Sequence, residues 1–404
     1  MIKKGLRLFV LLSLLTPLLT GCWSRRELDM LAISSAFGLD KEGDRYQVSV
    51  QIVNPGAVAS KKNGSGRAPV VTYRTDGRSV LEAIRRMTTE APRKIYGAHL
   101  RVIVLGENLA KEGIAQALDL LFRDQEVRGD FYIVITKGVS VQTVLQTMTT
   151  LEPIPANDLF TSLEMSEKAW AATGSITLDD LVSDIVSKGK EPVLTGVQVR
   201  GNREKGISKE NTEKARSDAI LAYSGMAAFR KDKLVGWLSE NESKGFNYSQ
   251  GQVRSTLVTV PCPSGEKSPD NMGIQVVRTK RKLKARMENG RPVIDLAIKG
   301  DAIVSESGCK ADLSKLETLA ALEQETDKDI TEKIEKALTR ARKLKTDIFG
   351  FGEVIHRSYP AYWKGVKDQW DKEFPELPVR VKVDIAIKRT GESIQSIEQK
   401  MRAD

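Results

Sequence analysis

Nucleophilic, acid–base and metal chemistry draw on a short list of side chains, and this 404-residue sequence holds few of them: two His, His99 and His356, and three Cys, Cys22, Cys262 and Cys309. A metal site of several His or Cys ligands has almost no material to draw on. His356 could act as a base or ligand, but no second His lies near it, and His99 stands at the start of a separate strand. With no partner pattern, a hydrogen-bonded structural role is expected for both. A Gly-x-Ser-x-Gly elbow does not occur, and the Ser-x-x-Lys strings at Ser187 to Lys190 and Ser264 to Lys267 fall in polar, loop-like sequence without companion motifs. Gly350-Phe351-Gly352 begins like a dinucleotide fingerprint, yet its third position is Ile355 and a helical pattern, not a strand, precedes it. A helix break, using the backbone freedom of Gly, is the expectation there. Trp363 and Trp370, seven apart with Tyr359 and Tyr362 close by, could form an aromatic contact surface or a buried helical stripe, and the periodicity favours the core. No catalytic residues, no metal and no cofactor are therefore expected.

Cys22 has a different context. Lys3 and Lys4 open the chain, and an apolar run from Leu8 to Leu19, broken by Ser13, Thr16 and Pro17, follows. These are the n- and h-regions of an export signal. The run's 12 positions fall short of the ~20 residues of a spanning helix. Leu19-Thr20-Gly21-Cys22 then resembles the lipobox of bacterial lipoproteins, with cleavage between Gly21 and Cys22 and a diacylglycerol thioether on Cys22. At about 0.8 kcal/mol per buried CH₂, two acyl chains suffice for stable anchoring. Outside the reducing cytosol, Cys262 in Pro261-Cys262-Pro263 and Cys309 in Gly308-Cys309-Lys310 could form a disulfide or stay as two thiols.

The elements that must position these residues follow from periodicity. Tyr46, Val48, Val50 and Ile52 alternate with polar residues as a half-buried strand does. Strand patterns recur at Val70 to Tyr73, Leu100 to Leu105 and Phe131 to Ile135. Between and after them lie helical stripes: Val80, Leu81, Ile84 and Met87, then Ile114, Ala117, Leu118 and Leu121, then Val141, Val144, Leu145 and Met148. Asp158 to Lys188 is mostly helical and Val193 to Val199 ends the portion with a strand. This predicts an N-terminal layered α/β domain over 22–200, with a possible subdivision near 150–160 and some parallel pairing. Gly201 to Arg216, with Ile207 as its lone aliphatic side chain, is the predicted hydrophilic linker.

From 217 to 390 the pattern is α+β. A hairpin from Ala219 to Trp237 leads into strand runs at Val253 to Val260, Ile274 to Val277 and Val293 to Ile298. A long helix with Ile330, Ile334, Leu338, Ala341 and Leu344 on one face follows, and a terminal strand puts Val379, Val381, Val383, Ile385 and Ile387 inward. The tail over 391–404 is polar. The fold class is thus mixed α/β and α+β, multi-domain.

The net charge of +10, or +7 once Lys3, Lys4 and Arg7 leave with the signal, could suggest an anionic partner. The densest run, Arg278 to Arg286, holds six basic residues in nine positions. It has no interleaved aromatic residues and lies in a two-sided strand, so a solvated face rather than a nucleic-acid site is expected.

With these elements in place, the start Gly21-Cys22-Trp23-Ser24-Arg25-Arg26-Glu27-Leu28 resembles that of the mature Ger(x)C spore germination lipoproteins, the C subunits of GerA-type germinant receptors. Similar to the family's two domains are His99 to Val104 with Gly113, Asp119, Arg123 and Arg128, and Asp347-Ile348-Phe349-Gly350-Phe351-Gly352 with His356, Pro360, Trp363 and Trp370. The resemblance implies several α/β domains of unusual topology in a non-enzymatic subunit, lipid-anchored on the outer face of the spore inner membrane. It also implies two partners, an integral-membrane A subunit and a transporter-like B subunit that recognises the nutrient. It assigns no role to His99, Gly350, Gly352, His356, Trp363 or Trp370. A rival reading is an extracytoplasmic lipoprotein that itself binds a small solute, and a third is an envelope hydrolase using His356.

Overall fold

The computed structural model describes Gly5 and residues 28–59, 67–124, 126–263, 271–308 and 311–389. Its first sheet contains β1 (Leu31–Glu42), β2 (Arg45–Val53), β3 (Val70–Gly77), β4 (Lys94–Tyr96), β5 (Val102–Leu105), β6 (Tyr132–Thr136), β7 (Val193–Gly201), β8 (Ala219–Arg230) and β9 (Lys233–Leu238). Their spatial order is β3-β2-β1-β5-β6-β7-β8-β9, with β4 beside β1. The centre, β1-β5-β6-β7, is parallel and the wings are antiparallel.

β5 reads Val-Ile-Val-Leu and is wholly buried, as befits a strand covered on both faces. Ile103 and Leu105 join one core with α1 (Val80–Met87), α2 (Glu107–Glu112), α3 (Ala115–Arg123) and, through Leu178 and Leu181, the later helix Leu178–Val186. Val102 and Val104 join a second core on the other face, with α4 (Val141–Gln146) and α5 (Pro155–Ala169). Side chains cap several of these helices: Ser79 accepts from Glu82 N, Ser140 from Thr143 N, and Thr177 forms a reciprocal box with Asp180 at the start of α6 (Leu178–Val186). The layered α/β reading of the first portion holds.

The predicted linker needs correction. Gly201 to Arg216 connects two neighbouring strands of one sheet, because β7 pairs antiparallel with β8 from Val193↔Ala228 to Gly201↔Ala219. The segment between folds back as two single helical turns, Arg203–Gly206 and Glu210–Glu213. Asn211, fully buried, holds it down by donating to Met148 O and Ala219 O and accepting from Ala219 N. Hydrophilic composition reported the exposed side of this crossover, not a break between bodies. The hairpin β8-β9 consequently completes the first sheet instead of opening a second domain.

The second sheet is β10 (Arg254–Pro261), β11 (Asn271–Glu288), β12 (Arg291–Ser307) and β13 (Val379–Arg389), in that order, antiparallel except for the parallel β12-β13 pair. α7 (Glu240–Gln250), capped by Ser239 and Glu242, leads from the first sheet to it. α8 (Leu316–Leu344) lies across its inner face, burying Leu322, Ile330, Ile334, Ala337, Leu338 and Ala341 against Ile294, Leu296 and Ile298. Four residues of the predicted stripe are buried and Leu344 is partly so. α8 also covers the β13 edge: Asp327 accepts from Ile385 N at 2.8 Å and Glu323 from Ile387 N at 2.7 Å, occupying donors an open edge would expose. Two short helices, α9 (Phe351–Ser358) and α10 (Pro360–Val366), close the turn back to β13.

Candidate functional site

The residues that carry the C-terminal motif converge on one carboxylate. Past the end of α8, Lys345 takes a left-handed conformation and the chain turns into Asp347, which is 2% exposed. Oδ1 of Asp347 accepts from the backbone N–H groups of Phe349, Gly350 and Phe351 at 3.2, 3.0 and 3.2 Å, and Oδ2 accepts from Gly352 N at 2.8 Å and Trp370 Nε1 at 2.9 Å. Two of the four backbone donors, Phe351 N and Gly352 N, are N–H groups of the first turn of α9 that have no partner within the helix, and the other two, Phe349 N and Gly350 N, lead into it. Burial pushes the Asp347 carboxyl up to about 6 against these donors, so it is ionised at neutral pH.

Gly350 has φ 77°, a left-handed angle that lets the chain curl around the carboxylate. Gly352 is needed for a different reason: a Cβ there would meet Gly189 Cα at 2.7 Å, Trp363 Cη2 at 2.7 Å and Trp370 Nε1 at 2.9 Å. Trp363 and Trp370 are buried and meet edge to face at 5.1 Å, and Phe349 and Phe351 stack at 5.1 Å beside them. The expected helix break and aromatic core are both present.

Into this knot docks the loop after α6. Gly189 O accepts from Glu353 N, Ser187 Oγ donates to Glu353 Oε1 at 2.8 Å, and Glu191 N donates to Asp347 O at 2.9 Å. Glu191 in turn accepts from Lys231 N at the β8-β9 turn. Burial, and next the charge of Asp347, push its carboxyl up to about 7. Thr346 Oγ1 donates to Phe229 O and Arg230 Nη2 to Leu344 O, so β8 is sewn to the same junction. Sequence reasoning missed Gly189, Glu191 and Lys231, whose partners lie 40 residues or more away along the chain. Ser187 opens the first of the two Ser-x-x-Lys strings. Its hydroxyl serves Glu353 while Lys190 pairs with Asp184 at 2.8 Å, so the string is structural.

The other sequence candidates are dispersed. His356 on α9 is exposed and stacks on Trp363 at 5.9 Å, and His99, between β4 and β5, is exposed and meets Tyr96 edge-on at 6.2 Å. Ring contacts replace the hydrogen bonds expected for both. Gly21, Cys22 and Cys309 lie outside the described residues, as do Ser264 and Lys267. Cys262 is disulfide-bonded. It follows β10 at a corner where Pro261 pairs with Asn271, whose carbonyl accepts from Gly308 N at 3.0 Å. Among the described residues no His, Cys, Asp and Glu group has the arrangement of a metal site, and no helix is long and apolar enough to cross a membrane.

Between α5 and the second sheet runs an open cleft of 660 Å³, bordered by Tyr132, Glu164, Glu167, Arg254 and Lys280. Both of its acids are engaged: Tyr132 donates to Glu164 at 2.9 Å, and Ser175 N to Glu167 at 3.0 Å. Its volume suits a small ligand, but its walls are charged where ligand pockets are mainly apolar. Taken together, the site is a buried structural junction around Asp347, with Glu191 as a second carboxyl that burial pushes up.

Residues 24–199 match the family described as spore germination protein N-terminal domain, and residues 224–391 match spore germination B3/GerAC like, C-terminal. Spore germination protein KC of Bacillus subtilis (strain 168) is 34% identical over 411 residues, covering 100% of both chains. Spore germination protein B3 of the same organism is 26% identical, over 96% of this chain and 98% of that one. Among solved structures, the crystal structure of the GerBC protein matches 87% of this chain and 96% of its own with a TM-score of 0.54 at 20% identity, a likeness of fold. With both of its halves matched in order and a relative 34% identical from end to end, the chain belongs to the Ger(x)C family of spore germination proteins.

Proposed function

We propose that this protein is a lipid-anchored, non-enzymatic subunit of a nutrient germinant receptor, held on the outer face of the spore inner membrane. It would act there beside integral-membrane A and B subunits. The observation that carries the reading is the end-to-end match to spore germination protein KC. The lipobox-like Leu19-Thr20-Gly21-Cys22 supplies the anchor. A junction built for rigidity, with exposed and separated His side chains, supports a scaffold better than a catalyst. Tethering would raise the effective concentration of the body at its partners and turn weak contacts into stable association. The test is nutrient-triggered dipicolinate release from spores carrying Cys22→Ala at matched protein level. Selective loss of the nutrient response supports the reading, and an undiminished response from a verified non-lipidated protein removes it.

Cys309 is the proposed partner of the Cys262 disulfide, since Gly308 reaches the corner that Pro261 also reaches through Asn271. Peptide mapping without reductant should find the 262–309 link.

The 660 Å³ cleft favours one second reading, a direct role in binding a small polar solute. That reading requires ligand to stabilise the fold by RT ln(1 + [L]/Kd), and so to raise the melting temperature. A flat response across a nutrient panel ends it.

A further inference from the structure

The basic run that sequence reasoning set aside has a definite geometry. A bulge between Val276 and Arg278 reverses which side chains of β11 face inward. Beyond it, Arg278, Lys280, Lys282, Lys284 and Arg286 all point to the exposed face of the second sheet. Arg281 points inward instead, to Gln250 Oε1 at 2.9 Å and Phe349 O at 3.5 Å. The β13 register sets Lys382 beside Ala297, itself opposite Lys282, and carries Lys388 onto the same face.

Some of this charge is neutralised. Arg278 pairs with Asp301 at 2.6 Å, Lys299 with Asp384 at 3.0 Å, Arg380 with Glu288 at 2.8 Å, and Arg286 with Asp295. Lys280, Lys282, Lys284, Lys382 and Lys388 are exposed and, among the described residues, have no acidic partner. A 340 Å³ depression on this face is lined by Lys280, Lys388, Gly300 and Ala386 together with the paired Asp301 and Asp384. Helices pack on the opposite face, against Ile294, Leu296 and Ile298.

We propose that this lysine-studded outer face of β11-β12-β13 docks on an anionic lipid surface. The composition selects that partner. Protein interfaces are depleted in Lys and enriched in aromatic residues, and nucleic-acid channels interleave aromatic platforms. This face offers neither feature. A flat array of flexible ammonium groups suits a diffuse layer of negative headgroups, where each charge acts independently of orientation. The inference rests on the proposed membrane tether for its setting, and it adds an orientation to it: the second sheet lies on the headgroups and the first sheet stands away from them.

The test uses the chain without residues 1–21 and with Cys22→Ala, so that no lipid contributes. Co-sedimentation with vesicles of phosphatidylcholine, with and without phosphatidylglycerol, reads the electrostatic contact alone. The chain should bind the anionic vesicles only, and release as salt rises from about 0.1 to about 1 M and the Debye length shrinks from about 10 to about 3 Å. Lys280→Ala/Lys282→Ala/Lys284→Ala should weaken binding by about a hundredfold, at roughly fivefold per lysine, with an unchanged melting temperature. Equal binding to neutral vesicles, no binding to either, or full binding by the triple variant overturns the proposal. Binding to an acidic polypeptide in place of anionic vesicles also overturns it, in favour of a protein partner. Failure of the anchor reading would appear separately, as an unmodified Cys22 in the mass of the N-terminal peptide of membrane-derived protein.

Discussion

Asp347 gathers five N–H donors inside a shell closed to water. Asp347→Ala would strand Trp370 Nε1 and the first turn of α9 without acceptors, and each orphaned buried donor costs about 1–3 kcal/mol. A loss of at least about 3 kcal/mol in denaturant unfolding is expected, and a loss below 1 kcal/mol would mean that the donors find other partners. Gly189→Ala should cost roughly 1–3 kcal/mol, because the new Cβ would meet Glu353 N at 2.4 Å and Gly352 C at 2.5 Å, backbone atoms that cannot step aside. Glu191 makes the junction sensitive to pH. Its carboxyl titrates at about 7 in the fold against an ordinary 4.5, so the folded chain holds a proton that the unfolded chain has released. Stability from this group is fully present below 4.5 and is lost as pH rises through about 7. The stability difference between wild type and Glu191→Gln should therefore move against wild type between those values, and a difference independent of pH would contradict the assigned burial.

At the scale of elements, the crossover between β7 and β8 depends on one amide. Asn211→Ala removes three hydrogen bonds from a buried site, an expected loss of about 1–3 kcal/mol with faster proteolysis near 201–216. The elements were largely legible beforehand. The strand from Tyr46 to Ile52, the stripe from Ile114 to Leu121 and the α8 face from Ile330 to Ala341 all report a period that one buried side imposes. Which sheet a strand joins is not carried by its period. Ala219 to Arg230 looks the same whether it pairs with β7 or opens a new domain, and nothing in the hydrophilic interval marks Asn211 as the side chain that the fold buries. The site was half legible for the same reason. Gly350, Gly352, Trp363 and Trp370 are local to one segment, whereas Gly189 and Glu191 matter only because the tertiary fold brings them to Asp347. The exposure of His99 and His356 also had no sequence signal, since neither the flanking strand nor the flanking helix fixes which way one ring points.

On the scale of the molecule, the two halves share a core. Met226, Ala228 and Leu238 of the first sheet pack with Ile274, Ile334 and Phe351 of the second half, and Asn247 on α7 donates to Ala171 O and Thr173 O. A chain ended after residue 200 would leave β7 without its neighbour and expose its edge, so it should aggregate on expression. Soluble, cooperatively folded material from such a truncation would contradict that shared core. A body with such a shared core suits the proposed role of a subunit held in place at a membrane. The most direct test of that central claim is dipicolinate release from dormant Cys22→Ala spores challenged with a nutrient panel, compared with wild type at equal protein level. The account predicts a selective loss of the nutrient response with non-nutrient triggers unaffected, and an unchanged nutrient response would contradict it.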